Sequence, residues 1–203
     1  MSRLMLISGI VIVVLLSSSL ILPCFADLDS SWSKTYGGSS NERAFSLIKT
    51  QEGGYALMGT SLSYSSSGYI VAYLVNVDAN GNLVWNSTYE GLGVSYPCCM
   101  IQTSDGGYAF GGYSYISEIS TSLTPWFART DSLGVLLWNK TYSELGSFIS
   151  NVIETPDHGY AIVGYSSLDE NTVHAYLAKM DSEGNVEWIK TYGESGDNEL
   201  YAI

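Results

Sequence analysis

Beyond residue 26 the chain alternates apolar and polar positions in short runs, and each run ends in Gly, Asn, Asp or Ser. Alternation with period two places successive side chains on opposite faces of a strand, and the residues between runs are those that reverse a chain. In the first such stretch the pattern predicts strands at about 44–50, 55–61, 69–77 and 82–89, with a Gly-Gly turn before Tyr55 and an Asp78-Ala-Asn-Gly81 turn before the last. No segment after the N-terminus keeps the 3.6-residue apolar period of a helix over a helical length.

The pattern then repeats. Trp32, Trp85, Trp138 and Trp188 recur at spacings of 53, 53 and 50, each followed by Lys34-Thr-Tyr36, Ser87-Thr-Tyr89, Lys140-Thr-Tyr142 or Lys190-Thr-Tyr192. A second landmark is Glu52-Gly-Gly-Tyr55, Asp105-Gly-Gly-Tyr108 and Asp157-His-Gly-Tyr160. A third comprises the turns opened by Asp78, Asp131 and Asp181, each closed by a Gly four residues before its Trp. Three ordered landmarks returning together mark an internal repeat. Gly59, Gly112 and Gly164 fall inside the second strand of each copy, where Gly weakens a strand; a close approach of backbones, as near a propeller axis, is expected there.

Four strands per period suit a β-propeller blade, whereas a solenoid coil uses about half that length. A single large sandwich is the alternative. The expected fold is all-β: propeller-like four-stranded antiparallel blades in an open arc of three, at about 32–84, 85–137 and 138–187, with the start of a fourth at 188–203. The run Ala72 to Tyr89, matched by Ala175 to Tyr192, resembles the secreted bacterial and archaeal seven-bladed β-propeller repeats. The resemblance covers residues 32–203 and implies a propeller and an extracellular setting. That family shares no single activity or catalytic residues, so it implies no site. Residues 197–203 restart the pattern of 40–46 and stop within a strand, which suggests a piece of a longer propeller. A terminal blade covers only one face. An exposed apolar patch is therefore expected, and with it homo-oligomers through open blade faces, two copies giving a ring of about six blades.

The first 26 residues differ from the rest. Arg3 is their only charge, residues 4–22 are an unbroken apolar and small-residue run, and Cys24-Phe-Ala26 supplies small residues at a cleavage site. This reads as a secretory signal peptide ahead of a repeat region at 27–203. The alternatives are an uncleaved membrane anchor and a lipoprotein acylated at Cys24. Without residues 1–26 the chain has 7 Lys+Arg against 20 Asp+Glu, so nucleic acid is excluded as a partner. The acidity fits solubility outside the cell.

Candidate chemistry is sparse. Cys98 and Cys99 are adjacent and form no cross-linking framework; in the repeat they replace Phe45 and Ser46, and Cys98 reads as a small core residue. Asp78-Ala-Asn-Gly-Asn82 alternates oxygens as a calcium loop does, but Asp131-Ser-Leu-Gly-Val135 loses them, and turn chemistry explains what survives. Thr103-x-Asp105-x-Gly107 is similar to the Asp-box turn of sialidase-type propellers, which is structural there. The Asp-to-Trp element resembles the docking repeat of quinoprotein dehydrogenases, one residue shorter. His158 replaces a turn Gly and His174 precedes a third strand; neither has ligand spacing. Asn86-Ser-Thr88 and Asn139-Lys-Thr141 are glycosylation candidates at equivalent places, or a strand motif spelled twice. The recurring Trp and Tyr read as core, with a sugar-stacking surface as the alternative. No catalytic, metal or cofactor-binding residue stands out, and no cofactor is expected. The expectation is a non-catalytic exported scaffold binding a protein or a glycan. The alternative is an accessory propeller of a secreted polysaccharide hydrolase, or a quinoprotein remnant.

Overall fold

A computed structural model describes residues 32–90, 93–115, 123–169 and 172–193. The expected signal segment and residues 194–203 of the expected fourth blade lie outside the described residues. The chain divides into residues 1–33 and 34–203, and the blades belong to the second unit. The described residues contain no helix long and apolar enough to cross a membrane.

Among the described residues three four-stranded antiparallel sheets follow one another, each with strands in sequence order. The first holds β1 (Glu42–Lys49), β2 (Tyr55–Ser61), β3 (Val71–Val77) and β4 (Leu83–Tyr89). The second holds β5 (Val94–Gln102), β6 (Tyr108–Tyr115), β7 (Thr124–Thr130) and β8 (Leu136–Thr141). A single 3-10 turn, Ser143–Leu145, leads to the third: β9 (Phe148–Glu154), β10 (Tyr160–Asp169), β11 (Thr172–Met180) and β12 (Val186–Tyr192). Trp85, Trp138 and Trp188 lie on the last strand of their sheets, so a period counted from Trp to Trp divides each sheet inside that strand.

The sheets stack as blades of an open arc. β5 packs against β1, β2 and β3, and β9 against β5, β6 and β7. The middle blade is therefore covered on both faces, which a two-sheet sandwich does not do. One core fills the space between the first two blades, with Met58, Leu74, Tyr89, Met100, Tyr108, Phe110 and Trp126 buried. A second fills the next, with Cys99, Phe127, Tyr142, Ile149, Ile162 and Tyr176. Each large apolar side chain so buried contributes about 1.5–3 kcal/mol. Period-two alternation explains this division: Tyr108 and Phe110 point to the first blade, Ala109 to the third.

Gly59, Gly112 and Gly164 do mark a close approach, but inside each blade. They pair with Ala44, Pro97 and Ile149, beside a bulge in the first strand. A Cβ on them would lie 1.7 Å from the Arg43 carbonyl oxygen, 2.0 Å from that of Tyr96 and 1.9 Å from that of Phe148. Only a residue without a side chain fits against the bulge.

The outer faces of the first and third blades carry both buried and exposed apolar side chains. On the first blade, Tyr36, Tyr55 and Leu57 pack on Tyr73, Val75 and Val77, while Leu47 is 63% exposed. On the third, Val163 and Ala175 are buried at the centre, and Ile153, Trp188 and Tyr192 are exposed at the margin.

Candidate binding surface

The recurring landmarks build the seams between blades. Each Asp turn is closed by its own carboxylate: Asp78 Oδ1 accepts the Asn80 and Asn82 N–H groups, Asp131 Oδ1 those of Leu133 and Val135, and Asp181 Oδ1 those of Glu183 and Asn185. Gly81, Gly134 and Gly184 end these turns at positive φ. The tyrosine at the end of one blade donates to the turn glycine of the next: Tyr89 to the Gly134 carbonyl and Tyr142 to the Gly184 carbonyl, both at 2.8 Å. Tyr36 does the same to Gly81 at 2.8 Å. The Trp85 ring lies over Gly134 and edge-on to Tyr108, and Trp138 over Gly184 and edge-on to Tyr160. These aromatics are packing residues. Trp32 and Trp188, by contrast, are 40% and 41% exposed.

A cleft of about 630 Å³ opens at the seam of the second and third blades, lined by Ser104, Asp105, Arg129, Trp138, Glu154 and Tyr160 among others. Its polar groups satisfy one another. Arg129 donates to both Asp105 carboxylate oxygens at 2.6 Å, and Ser104 donates its N–H and hydroxyl to Glu154. Burial pushes the Asp105 carboxyl up, but hydrogen bonds from Thr103, the Gly107 N–H and Arg129 outweigh it and hold it at about 2. Thr103 donates to Asp105, which also accepts the Gly107 N–H, and Thr155 and Asp157 repeat this turn, the latter paired with Lys179 at 2.8 Å. A smaller cleft with Glu52, Asn76, Trp85 and Tyr108 occupies the previous seam. Recurrence and internal pairing mark both as structural.

The other candidates fall apart spatially. His158 takes the left-handed φ of 61° in its turn, as a replaced glycine requires, and its side chain is 72% exposed. His174 lies within β11, not before it, opposite Ser166. Among the described residues no three His, Cys, Asp or Glu side chains are placed to hold a metal. Cys98 and Cys99 are both free. The buried one is Cys99, not Cys98: the bulge of β5 falls at Cys98 and turns it away, while Cys99 enters the core and its thiol points at the Gly111 carbonyl. Burial raises Cys98 to about 11 and Cys99 to about 12. Asn86 and Asn139 are exposed at matching positions on β4 and β8.

One feature is shared by the second and third blades and missing from the first. Tyr96 and Tyr113 face each other across β5 and β6 with ring centroids 5.2 Å apart and planes 19° apart, and Tyr115 stacks beside them. Phe148 and Tyr165 do the same across β9 and β10, at 5.0 Å and 12°. Tyr113 meets Phe148 at 5.2 Å across the seam. The five partly buried rings form a ribbon over two blades, at the ends of β5 and β9 opposite the Asp-box turns. The first blade carries Arg43 and Thr60 at this register. Alignment of the blades on their landmarks shows these aromatics in two blades and polar residues in the first; their strand-like spacing alone hid them among core residues.

No protein-family model matches the chain, and no curated protein matches it. Among solved structures, the chain is similar to a protein of unknown function from Bacteroides caccae, at 10% identity over 79% of this chain and 72% of that one, with a TM-score of 0.44.

Proposed function

We propose that this chain is a non-catalytic, exported propeller scaffold of the seven-bladed repeat kind that binds a neutral glycan on the ribbon of Tyr96, Tyr113, Tyr115, Phe148 and Tyr165. The ribbon itself carries the reading. Blade packing explains the aromatics that recur in every blade; it does not require rings where the first blade has Arg43 and Thr60. Tyrosines offer sugars both apolar ring surface and a hydroxyl that donates and accepts. A formal charge of −12 disfavours anionic polymers, and the ribbon of Tyr and Phe rings carries no charge of its own, which favours neutral polysaccharides. Export rests on the apolar run at 4–22 followed by Cys24-Phe-Ala26.

Affinity electrophoresis in gels containing neutral polysaccharides tests the reading. Retardation of the chain by at least one such polymer, relieved in Tyr113→Ala with Tyr96→Ala at unchanged circular dichroism, is the expected result. Equal mobility with and without every polymer, or retardation untouched by the double substitution, overturns it.

A further inference from the structure

We propose that the end of β12, Trp188 to Gly193, docks on the Asp78–Asn82 turn of a second copy of this chain, in place of that copy's own Lys34–Tyr36 segment. Three contacts of one design lie within a single chain. Tyr36, Tyr89 and Tyr142 each donate to the carbonyl of a turn glycine at 2.8 Å. Lys34 reaches the Asn82 side-chain oxygen at 2.6 Å, and Lys140 reaches that of Asn185 at 2.7 Å. In two of these three contacts the acceptor is an Asp-x-x-Gly-Asn turn and the donor a Lys-Thr-Tyr tripeptide; the middle one keeps the Tyr and Gly but has Ser87 and Val135 in place of Lys and Asn.

The fourth donor has the same chemistry. Lys190-Thr-Tyr192-Gly193 repeats Lys34-Thr-Tyr36-Gly37 residue for residue. Lys190 lies over the Trp188 ring at 5.5 Å, as Lys140 lies over Trp138 at 5.8 Å. Yet Tyr192 is 48% exposed, against 3% for Tyr89 and for Tyr142. The matching acceptor is the Asp78 turn. It is held by a segment with no strand structure, Lys34–Tyr36, whereas the other two acceptors are met by the ends of β4 and β8.

The two Lys-Thr-Tyr-Gly segments carry the same donor groups, so exchange between copies changes little in contact energy. The tethered segment has the advantage of effective concentration. Two copies that exchange in both directions close a head-to-tail ring, and closure uses both exposed arms at once.

The test is the concentration dependence of mass, by light scattering and sedimentation, on the purified full chain. Wild type is expected to form a dimer as concentration rises. Lys190→Ala with Tyr192→Phe is expected to weaken dimerisation roughly tenfold or more, since two hydrogen bonds to each turn are lost. Lys34→Ala with Tyr36→Phe is expected to strengthen it, because the acceptor turn is freed while the ring on Tyr73 and Val75 is kept. A merely adhesive surface would not respond in opposite directions. Melting curves confirm that each variant is folded. A chain that stays monomeric at every soluble concentration even with Lys34→Ala and Tyr36→Phe overturns the proposal, and so does association indifferent to Lys190 and Tyr192.

Discussion

The Tyr142 hydroxyl donates to the Gly184 carbonyl at 2.8 Å across the boundary between the second and third blades. Both partners are buried, and burial pushes the phenol well above its ordinary range, so it stays a neutral donor at any physiological pH. Removal of the hydroxyl leaves a buried carbonyl without its side-chain donor, and the penalty for such a group is about 1–3 kcal/mol. Tyr142→Phe is expected to lower stability by about that amount in denaturant unfolding, with unchanged far-ultraviolet dichroism. Tyr192→Phe, at an exposed position, is expected to cost the monomer well under 1 kcal/mol. Equal costs for the two would show that the seam bond does not hold the blades.

Gly112→Ala places a methyl group 2.0 Å from the Tyr96 carbonyl oxygen and 3.0 Å from the Cys98 nitrogen. Both are backbone atoms at a bulge, so the strand itself must move. The cost is expected to exceed about 3 kcal/mol, at the upper end for single substitutions, and to abolish folding of the second blade in full. Gly53→Ala is the comparison: nothing lies within 4 Å of its added methyl, and the φ of 87° alone opposes it. Its expected cost is about 1–2 kcal/mol. Thermal unfolding of the pair separates steric from backbone strain.

Period and turn chemistry made the blades legible because both act locally. The strands follow from short runs, alternating or, as in β3, almost wholly apolar, that turn residues close, and each Asp turn from a carboxylate that caps its own loop. The reason for Gly59, Gly112 and Gly164 was only partly legible: a close approach was expected, but the partner is a bulge in the same blade, which no spacing announces. The exchange of roles between Cys98 and Cys99 has the same source, since a bulge inverts the in–out order of every residue after it. The aromatic ribbon was hidden for another reason. Tyr96, Tyr113 and Phe148 sit at core-like periodicity, and only their partial exposure and the Arg43 and Thr60 at their register in the first blade separate them from the fully buried Tyr108 or Tyr160.

The cysteines are expected to be slow nucleophiles. The thiolate is the reactive form, and burial holds Cys98 near 11 and Cys99 near 12, so little thiolate exists at pH 7. Alkylation of the folded chain with iodoacetamide is expected to be far slower than in denaturant, with Cys98 modified before Cys99. Serine substitution separates them in stability as well. Cys98→Ser, at the bulge, is expected to cost under about 0.5 kcal/mol, and Cys99→Ser about 1–2 kcal/mol for a hydroxyl placed among Phe127, Ile149 and Tyr176. The reverse order would place the bulge elsewhere.

Asp105 gives the seam an acid-sensitive element. Its carboxyl is held at about 2 in the folded chain, below the ordinary 3.8, because hydrogen bonds from Thr103, Gly107 and Arg129 overcome the opposing effect of burial. A folded value below the unfolded one means that the ionised form stabilises the fold. That contribution is fully present above the unfolded value and is lost as pH falls through the folded one. The Asp105 side chain is 66% exposed, so solvent screening limits the effect to about 1 kcal/mol despite the bidentate geometry with Arg129. Wild type is therefore expected to exceed Asp105→Asn in stability by about that much at pH 6, with most of the narrowing below pH 4. Denaturant titrations of the two proteins between pH 6 and pH 3 measure the gap directly. Added salt at pH 6 is expected to narrow it too, since an exposed ion pair is screened. A gap independent of both pH and salt would mean that Asp105 acts through turn geometry alone, as an Asp-box carboxylate that its Arg129 partner does not help.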